Sequence, residues 1–201
     1  LIQADLHIHT IYSPDSLIQP KTLIEMLAAH SFIKVAAVTD HDSVRGCRAT
    51  MELASVYPDI LIIPGVEIST AFGDILVLGT DELPPKPWSP EGVTDFARSI
   101  NGVSIAAHPF RSYGMGEDTR NYKVDAIEVL NGGSSQDANK LAKNLAKNLR
   151  LPGTAGSDAH QVSELFSVFS QVDSTLDMDA ILKAVKNGLV SAHVQRGSIH
   201  I

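Results

Sequence analysis

Cysteine is nearly absent: Cys47 is the only one in 201 residues, so no intrachain disulfide can form and a reducing compartment is expected. Within an expected helix, Cys47 reads as packing rather than as a nucleophile. No apolar run approaches the ~18 residues of a membrane span, and no signal peptide precedes the first expected strand. The chain begins with Leu rather than Met, so a short N-terminal piece is expected to have been lost, and the location is expected to be cytoplasmic. Positive charge is outnumbered, with 16 Lys and Arg against 23 Asp and Glu and a net charge of −7. That balance argues against broad binding to nucleic acid or an anionic membrane, unless bound cations neutralise several carboxylates. No repeat and no linker divides the chain, so a single domain over residues 1–201 is expected. Hydrophobic residues at 44% and charged residues at 19% permit a sizeable core and exclude wholesale disorder.

Near the N-terminus, Ile2, Ala4, Leu6 and Ile8 alternate with Gln3, Asp5, His7 and His9, the period-2 pattern of a strand. Strict alternation would put Asp5, His7 and His9 on one face. Two imidazoles so spaced can hold one metal ion; the bland alternative is a solvent-facing polar edge.

Further on, Pro20 suits the first turn of a helix. Ile33 to Val38 reads as a strand ending in Thr39-Asp40-His41-Asp42, and Ser43 as the cap of a second helix. Ile60 to Pro64 is a strand ending in Gly65-Val66-Glu67, and Asp74 to Thr80 an extra strand able to pair with Val66 to Thr70. Ser89 and Pro90 open a third helix. Val103 to Ala107 leads to His108-Pro109, and Val124 to Leu130 to Asn131. The helix from about Ser135 to Arg150 has a clear apolar stripe. Pro152 to Ala155 enters Gly156-Ser157-Asp158-Ala159-His160, and two late strands flank a helix from Met178.

Alternating strands and helices call for an α/β fold with a parallel sheet. His7, His9, His41, Glu67, His108, Asp158 and His160 all fall at or just past the C-terminal end of an expected strand. In a closed β/α barrel those ends converge on one face, and five of the eight histidines stand there. Gathered imidazoles and carboxylates repel or desolvate one another unless cations lie between them. Asp40 is the candidate to orient His41 from behind. His108 before Pro109 is expected to be extended, and Asp158-x-His160 to share a face if extended.

Asp5-Leu6-His7-Ile8-His9-Thr10, Thr39-Asp40-His41-Asp42, Gly65-Val66-Glu67, Ala107-His108-Pro109 and Gly156-Ser157-Asp158-Ala159-His160 together resemble the PHP (polymerase and histidinol phosphatase) family. The resemblance spans residues 5 to 160. It implies a distorted seven-stranded β/α (TIM-like) barrel with two or three divalent metal ions in a cleft at the C-terminal ends of the strands. By that resemblance His7, His9, Glu67 and Asp158 hold one ion, Glu67 and His108 a second, and Asp15, His41 and His160 a third. The donor types suit Zn, Mn or Fe without choosing among them. Asp5, sharing a strand with the histidine pair, is placed behind the ligands with Asp40. One position departs from the family pattern: Leu76 stands where many members carry a further histidine, so the second ion is expected to be weaker or absent. Asp74 or Asp81 could compensate, but both read rather as loop carboxylates, and Asn131 as a cleft residue.

The resemblance implies hydrolysis of a phosphate ester by a metal-bound hydroxide, on a small phosphorylated metabolite or a nucleotide. Arg111 is the candidate phosphate donor and, with Asp40, the candidate catalytic residue. Arg120 reads as a surface arginine, Tyr113 and Tyr122 as loop residues able to stack on a base. Arg196 and His200 could approach the cleft; His30 and His193 read as structural. The connection between Glu67 and His108 is too short for an inserted lid. Rival readings are an exonuclease on oligonucleotides, a non-catalytic scaffolding module, and an amidohydrolase-type deaminase, whose expected lysine at a middle strand end is missing here.

Overall fold

Strands of four to ten residues and helices of nine to fourteen make up the computed structural model, which describes residues 1–195. Arg196 and His200 lie outside the described residues. The order is β1 (Ile2–Ile8), α1 (Pro20–Ala29), β2 (Ile33–Val38), α2 (Arg45–Ala54), β3 (Leu61–Thr70), β4 (Gly73–Leu78), α3 (Pro90–Ser99), β5 (Val103–Ala106), β6 (Ala126–Asn131), α4 (Gln136–Leu149), β7 (Gly153–Gly156), β8 (Val168–Val172), α5 (Met178–Lys186) and β9 (Val190–Val194). Ser89 and Ser135 cap α3 and α4, their hydroxyls accepting from the Gly92 and Ala138 N–H groups at 3.1 and 3.2 Å. Ser43 is not the cap of α2: the helix starts behind Val44 with no side-chain cap.

The sheet has nine strands in the order β7-β6-β5-β4-β3-β2-β1-β8-β9, where seven were expected. Nor is it all parallel. β3 is one strand running straight through Pro64 and Gly65, whose hairpin to β4 is antiparallel, and β4–β5, β1–β8 and β8–β9 are antiparallel too. Pro64 is tolerated because that position supplies a carbonyl, which accepts from the Gly79 and Thr80 N–H groups. The sheet curls nearly closed, its β7 end coming round to β1. Past β7 the backbone runs beside β1, Asp158 N–H donating to the His7 carbonyl at 2.8 Å and His9 N–H to the Ala159 carbonyl at 3.0 Å.

The curled sheet has an inside and an outside. Leu6, Ala37, Ile63, Leu76, Leu78 and Ile105 pack inside, joined by Ile181, Leu182 and Val185 of α5. Helices α1, α2 and α3 cover the outside over Ile8, Val38, Ile68 and Ile75, and α4 covers Ala106 and Ile127. The last helix therefore plugs the barrel beside Val103, where β5 begins, and leaves the opposite end open. Replacing Leu182, which is 4% exposed, by alanine is expected to cost about 2–5 kcal/mol, read as a lowered urea midpoint at unchanged slope. Cys47 is fully buried in the outer layer, and burial pushes its thiol up to about 11, so it is packing, as read from sequence. No helix among the described residues is long and apolar enough to cross a membrane.

Candidate metal centre

A bulge in β1 creates the site. The ladder between β1 and β2 shifts register between Asp5 and Ile8, and Leu6 packs inside the barrel while Ile8 packs outside. Strict alternation would have put those two on one face; the extra residue flips the phase. His7 and His9 turn inward as a result, whereas Asp5 does not share their face. Its carboxylate instead accepts from the backbone N–H groups of Ser157 (2.8 Å), Phe166 (3.2 Å) and His7 (3.4 Å). Burial pushes Asp5 up to about 6 against those hydrogen bonds. It still stands behind the site, fastening the segment that carries Asp158 to β1.

Three groups of donors converge at the open end: His7, His9, Glu67 and Asp158; Glu67, Asp74 and His108; and His9, His41 and His160, the ligand atoms within each lying within 4.8 Å of one another. Glu67, fully buried in β3, is the hub. One carboxylate oxygen faces His108 Nε2 at 2.9 Å. The other faces His7 Nε2 at 3.3 Å, His9 Nε2 at 3.2 Å and His41 Nδ1 at 3.1 Å. Asp158 Oδ1 faces the same two Nε2 atoms at 3.3 and 3.1 Å. Asp15, on the loop after β1, puts one oxygen 3.4 Å from His41 Nε2 and 3.3 Å from His160 Nε2. All eight expected ligands are thus brought to one place.

The hydrogen bonds decide which imidazole nitrogens carry protons. His7 Nδ1 lies 3.0 Å from Glu128 Oε1, a carboxylate that also accepts from His108 N–H and the Asn131 side-chain amide. His9 Nδ1 lies 3.0 Å from Ser13 Oγ. Ser13 spends its one proton on Asp40 Oδ1 at 2.8 Å and accepts from His41 N–H at 3.0 Å, so it can only accept from His9 as well. Both Nδ1 atoms therefore hold the protons, and both Nε2 lone pairs point inward, 3.0 Å apart. Two lone pairs and two carboxylate oxygens aimed at one spot repel unless positive charge lies between them, and this donor set fits a divalent cation. Nδ1 of His108 is buried with no partner, a further donor without protein company.

The same field that would hold a cation between these donors favours a proton on the rings when no cation is bound. Burial opposes a charged His7, yet Asp158, Glu128 and Glu67 hold its pKa well above the ordinary imidazole value. His41 is held up at about 9, Glu67 outweighing burial. Reciprocally, despite burial, His7, His108 and His41 hold Glu67 well below the usual carboxylate range, and His7 and His9 do so for Asp158.

Several expectations need correction. Asp40 does not orient His41; it accepts from Thr10 N–H (2.6 Å), Thr10 Oγ1 (2.7 Å) and Ser13, so it acts on His9 through the serine. Neither His108 nor Asp158 is extended: their φ angles are 26° and 54°. At His108 the preference imposed by Pro109 yields to the N–H bond with Glu128, and such strain concentrates at functional sites. Asp74 is no loop carboxylate but a β4 residue only 6% exposed, pushed up to about 6 by burial and by Glu67. With Glu67 and His108 it could offer a donor that Leu76 cannot: Leu76 lies directly across the ladder from Glu67 and is core. Asp81 is bound to Arg48 at 3.0 Å. Asn131 is a buried brace between Glu128 and Asp158. Arg111 Nη1 donates to Asp158 Oδ2 at 2.5 Å, so the expected phosphate donor is also an anchor for Asp158. Arg120 pairs with Glu117 on the surface, and Tyr122 packs on the outer core while Tyr113 stays exposed. His30 accepts from Ile33 N–H and His193 bonds Ser191, both structural as read.

Sequence reasoning missed Glu128 and Ser13. Glu128 carried a signal, being the one ionisable side chain in the run Ala126–Leu130; Ser13 looked like any turn serine. Ser13→Ala is expected to weaken cation binding by about 10–100-fold, as loss of a partner behind a ligand does, in competition titrations against a chromogenic chelator. Gly156 is needed for close approach, since a Cβ there would meet His7 Cβ at 2.3 Å and Glu128 Oε1 at 2.9 Å.

Comparison with known proteins adds three findings. Residues 136–190 match the family model described as PHP-associated. An uncharacterized protein of Methanocaldococcus jannaschii is 33% identical over 142 residues, covering 65% of this chain and 82% of its own. Among solved structures, the fold is shared with PsfC of Pseudomonas syringae (TM-score 0.72, 19% identity, 97% of this chain and 92% of that one). It is shared too with an amidohydrolase of Chromobacterium violaceum holding sulfate and no metal (TM-score 0.65, 19% identity, 80% and 88%). A Bifidobacterium adolescentis protein, provisionally assigned as a metal-dependent phosphoesterase, has a TM-score of 0.62 at 16% identity over 78% and 87%.

Proposed function

From the premise that this chain belongs to the PHP family, we propose that it is a hydrolase of phosphate esters that works with divalent cations. The observation that carries this reading is the inward pair of Nε2 lone pairs on His7 and His9, fixed by Glu128 and Ser13 and facing Glu67 and Asp158. His7, His9, Glu67 and Asp158 would hold one cation, Glu67, His108 and Asp74 a second, and His41, His160 and Asp15, with His9 beside them, a third. Such ions supply Lewis acidity to a phosphoryl group and to the water that attacks it.

The chain's own residues do the rest. Glu67 sets the spacing of the donor groups by turning one oxygen to each side. Glu128 and Ser13 hold imidazole protons away from the centre. Arg111 fixes Asp158 through one nitrogen, and its remaining N–H groups, 41% exposed with the side chain, face the cleft and can donate to phosphoryl oxygens. Among the described residues no lysine lines the cleft, which disfavours the deaminase reading.

Purified protein is expected to carry bound metal by elemental analysis and to hydrolyse p-nitrophenyl phosphate. Dialysis against a strong chelator should abolish turnover, and one of Zn, Mn or Fe should restore it. Metal-free protein as isolated, or full activity in His9→Ala, overturns the proposal.

A further inference from the structure

The donor cluster does not sit at the bottom of one cleft but where two meet. Each has a volume of about 580 Å³, far more than a phosphoryl group fills. They share Asp15, Arg111, Asp158 and His160, so the Arg111–Asp158 pair forms the divide between them. A phosphoryl group held against the cations lies at that divide, and groups carried on its ester oxygens lead away on either side.

The two arms differ in chemistry. The first is rimmed by Phe72, at the tip of the β3–β4 hairpin, and Tyr113, on the loop after β5; they are 58% and 77% exposed. Both rims are tied down. Asp74 N–H donates to the Tyr113 carbonyl at 3.0 Å, and Gly73, at φ 131°, packs so tightly that a Cβ would meet Met115 N at 2.6 Å. Aromatic faces left open on an anchored backbone beside an acidic cleft suit a flat aromatic group such as a nucleobase. The second arm is lined by Ser163, Glu164, Ser167 and the Gly132-Gly133 backbone, which suits hydroxyl groups. Among the described residues its one arginine or lysine is Arg111, already engaged by Asp158, and Glu164 repels a further phosphate. Among the described residues no lysine or second arginine lines either arm, and these walls do not form the electrostatic track a nucleic-acid strand requires.

Resting on the phosphoesterase reading above, we propose that the substrate is a small phosphodiester. It carries a flat aromatic group on one side, a polyhydroxylated group on the other, and no additional phosphate. Hydrolysis would add water across one P–O bond, releasing an alcohol and leaving a phosphomonoester, with no co-reactant.

The test uses metal-loaded protein and the p-nitrophenyl ester of thymidine 5′-monophosphate, a diester, beside p-nitrophenyl phosphate and a single-stranded oligothymidylate. The diester is expected to show at least a roughly tenfold higher kcat/KM than the monoester, and Phe72→Ala with Tyr113→Ala to remove about that factor. Preference for the monoester, indifference of the ratio to the aromatic variants, or faster cleavage of the oligonucleotide overturns the proposal and leaves the phosphoesterase reading standing. Failure of every ester overturns both. Independently of turnover, thymidine titrated into metal-free protein should shift the ring resonances of Phe72 and Tyr113, and silence of both rings counts against it.

Discussion

Glu67→Gln is expected to abolish cation binding at two of the three donor groups and to reduce phosphoesterase kcat/KM by more than about 100-fold, the upper range for losing even an outer partner of a ligand. The side chain is fully buried, and its two oxygens face four imidazoles between them at 2.9–3.3 Å. An amide keeps the shape but replaces one oxygen with an N–H donor and removes the negative charge. Whichever way it turns, it presents a hydrogen to a ring nitrogen that should face a cation. Elemental analysis of the variant and isothermal titration with Zn or Mn would measure the loss; retention of wild-type stoichiometry would refute the role. The fold should survive, because β3 is held by its ladders to β2 and β4 rather than by this carboxylate.

Glu128→Ala is the second large effect, and it reaches both folding and cation binding. One oxygen receives the His7 Nδ1 proton and the other receives the His108 N–H and the Asn131 amide, all in a region closed to solvent. Truncation leaves His7 Nδ1–H and His108 N–H without acceptors, while Asn131 keeps Asp158; at about 1–3 kcal/mol each, a loss of roughly 2–6 kcal/mol in chemical denaturation is expected. His7 is then free to put its proton on Nε2, which would blunt the inward lone pair and weaken cation affinity. Glu128→Gln separates the two roles: its one amide oxygen can keep the His108 N–H and Asn131 bonds, but its NH2 then faces His7 Nδ1 and drives that proton to Nε2, so stability should largely return while cation affinity should not. A Glu128→Ala protein as stable as wild type would show that water takes over these bonds and that His7 does not depend on the carboxylate.

These two residues mark opposite ends of what could be read in advance. Glu67 was legible because it follows an apolar strand run in a set of strand-end motifs, and the periodicity that located those strands is a local property of the chain. The same local patterns placed the helices and most of the strand segments, and found seven of the eight expected ligands; Asp15 came from the family resemblance alone. Glu128 lies inside a strand, where sequence cannot say which neighbour a buried carboxylate will meet. Asp74 looked like a hairpin residue until the β3–β4 register brought it beside Glu67 and His108.

What the sequence determined by itself is the alternation of strands and helices and the stock of imidazoles and carboxylates at the strand ends, since both follow from side-chain period and type. Tertiary structure alone decided the bulge that turns His7 and His9 inward and Asp5 outward, and the antiparallel pairings that make nine strands of a parallel expectation. It also decided the hydrogen bonds from Glu128 and Ser13 that aim the lone pairs. Those depend on register and on contacts between residues up to 121 positions apart, where closing the barrel, not local preference, sets the geometry.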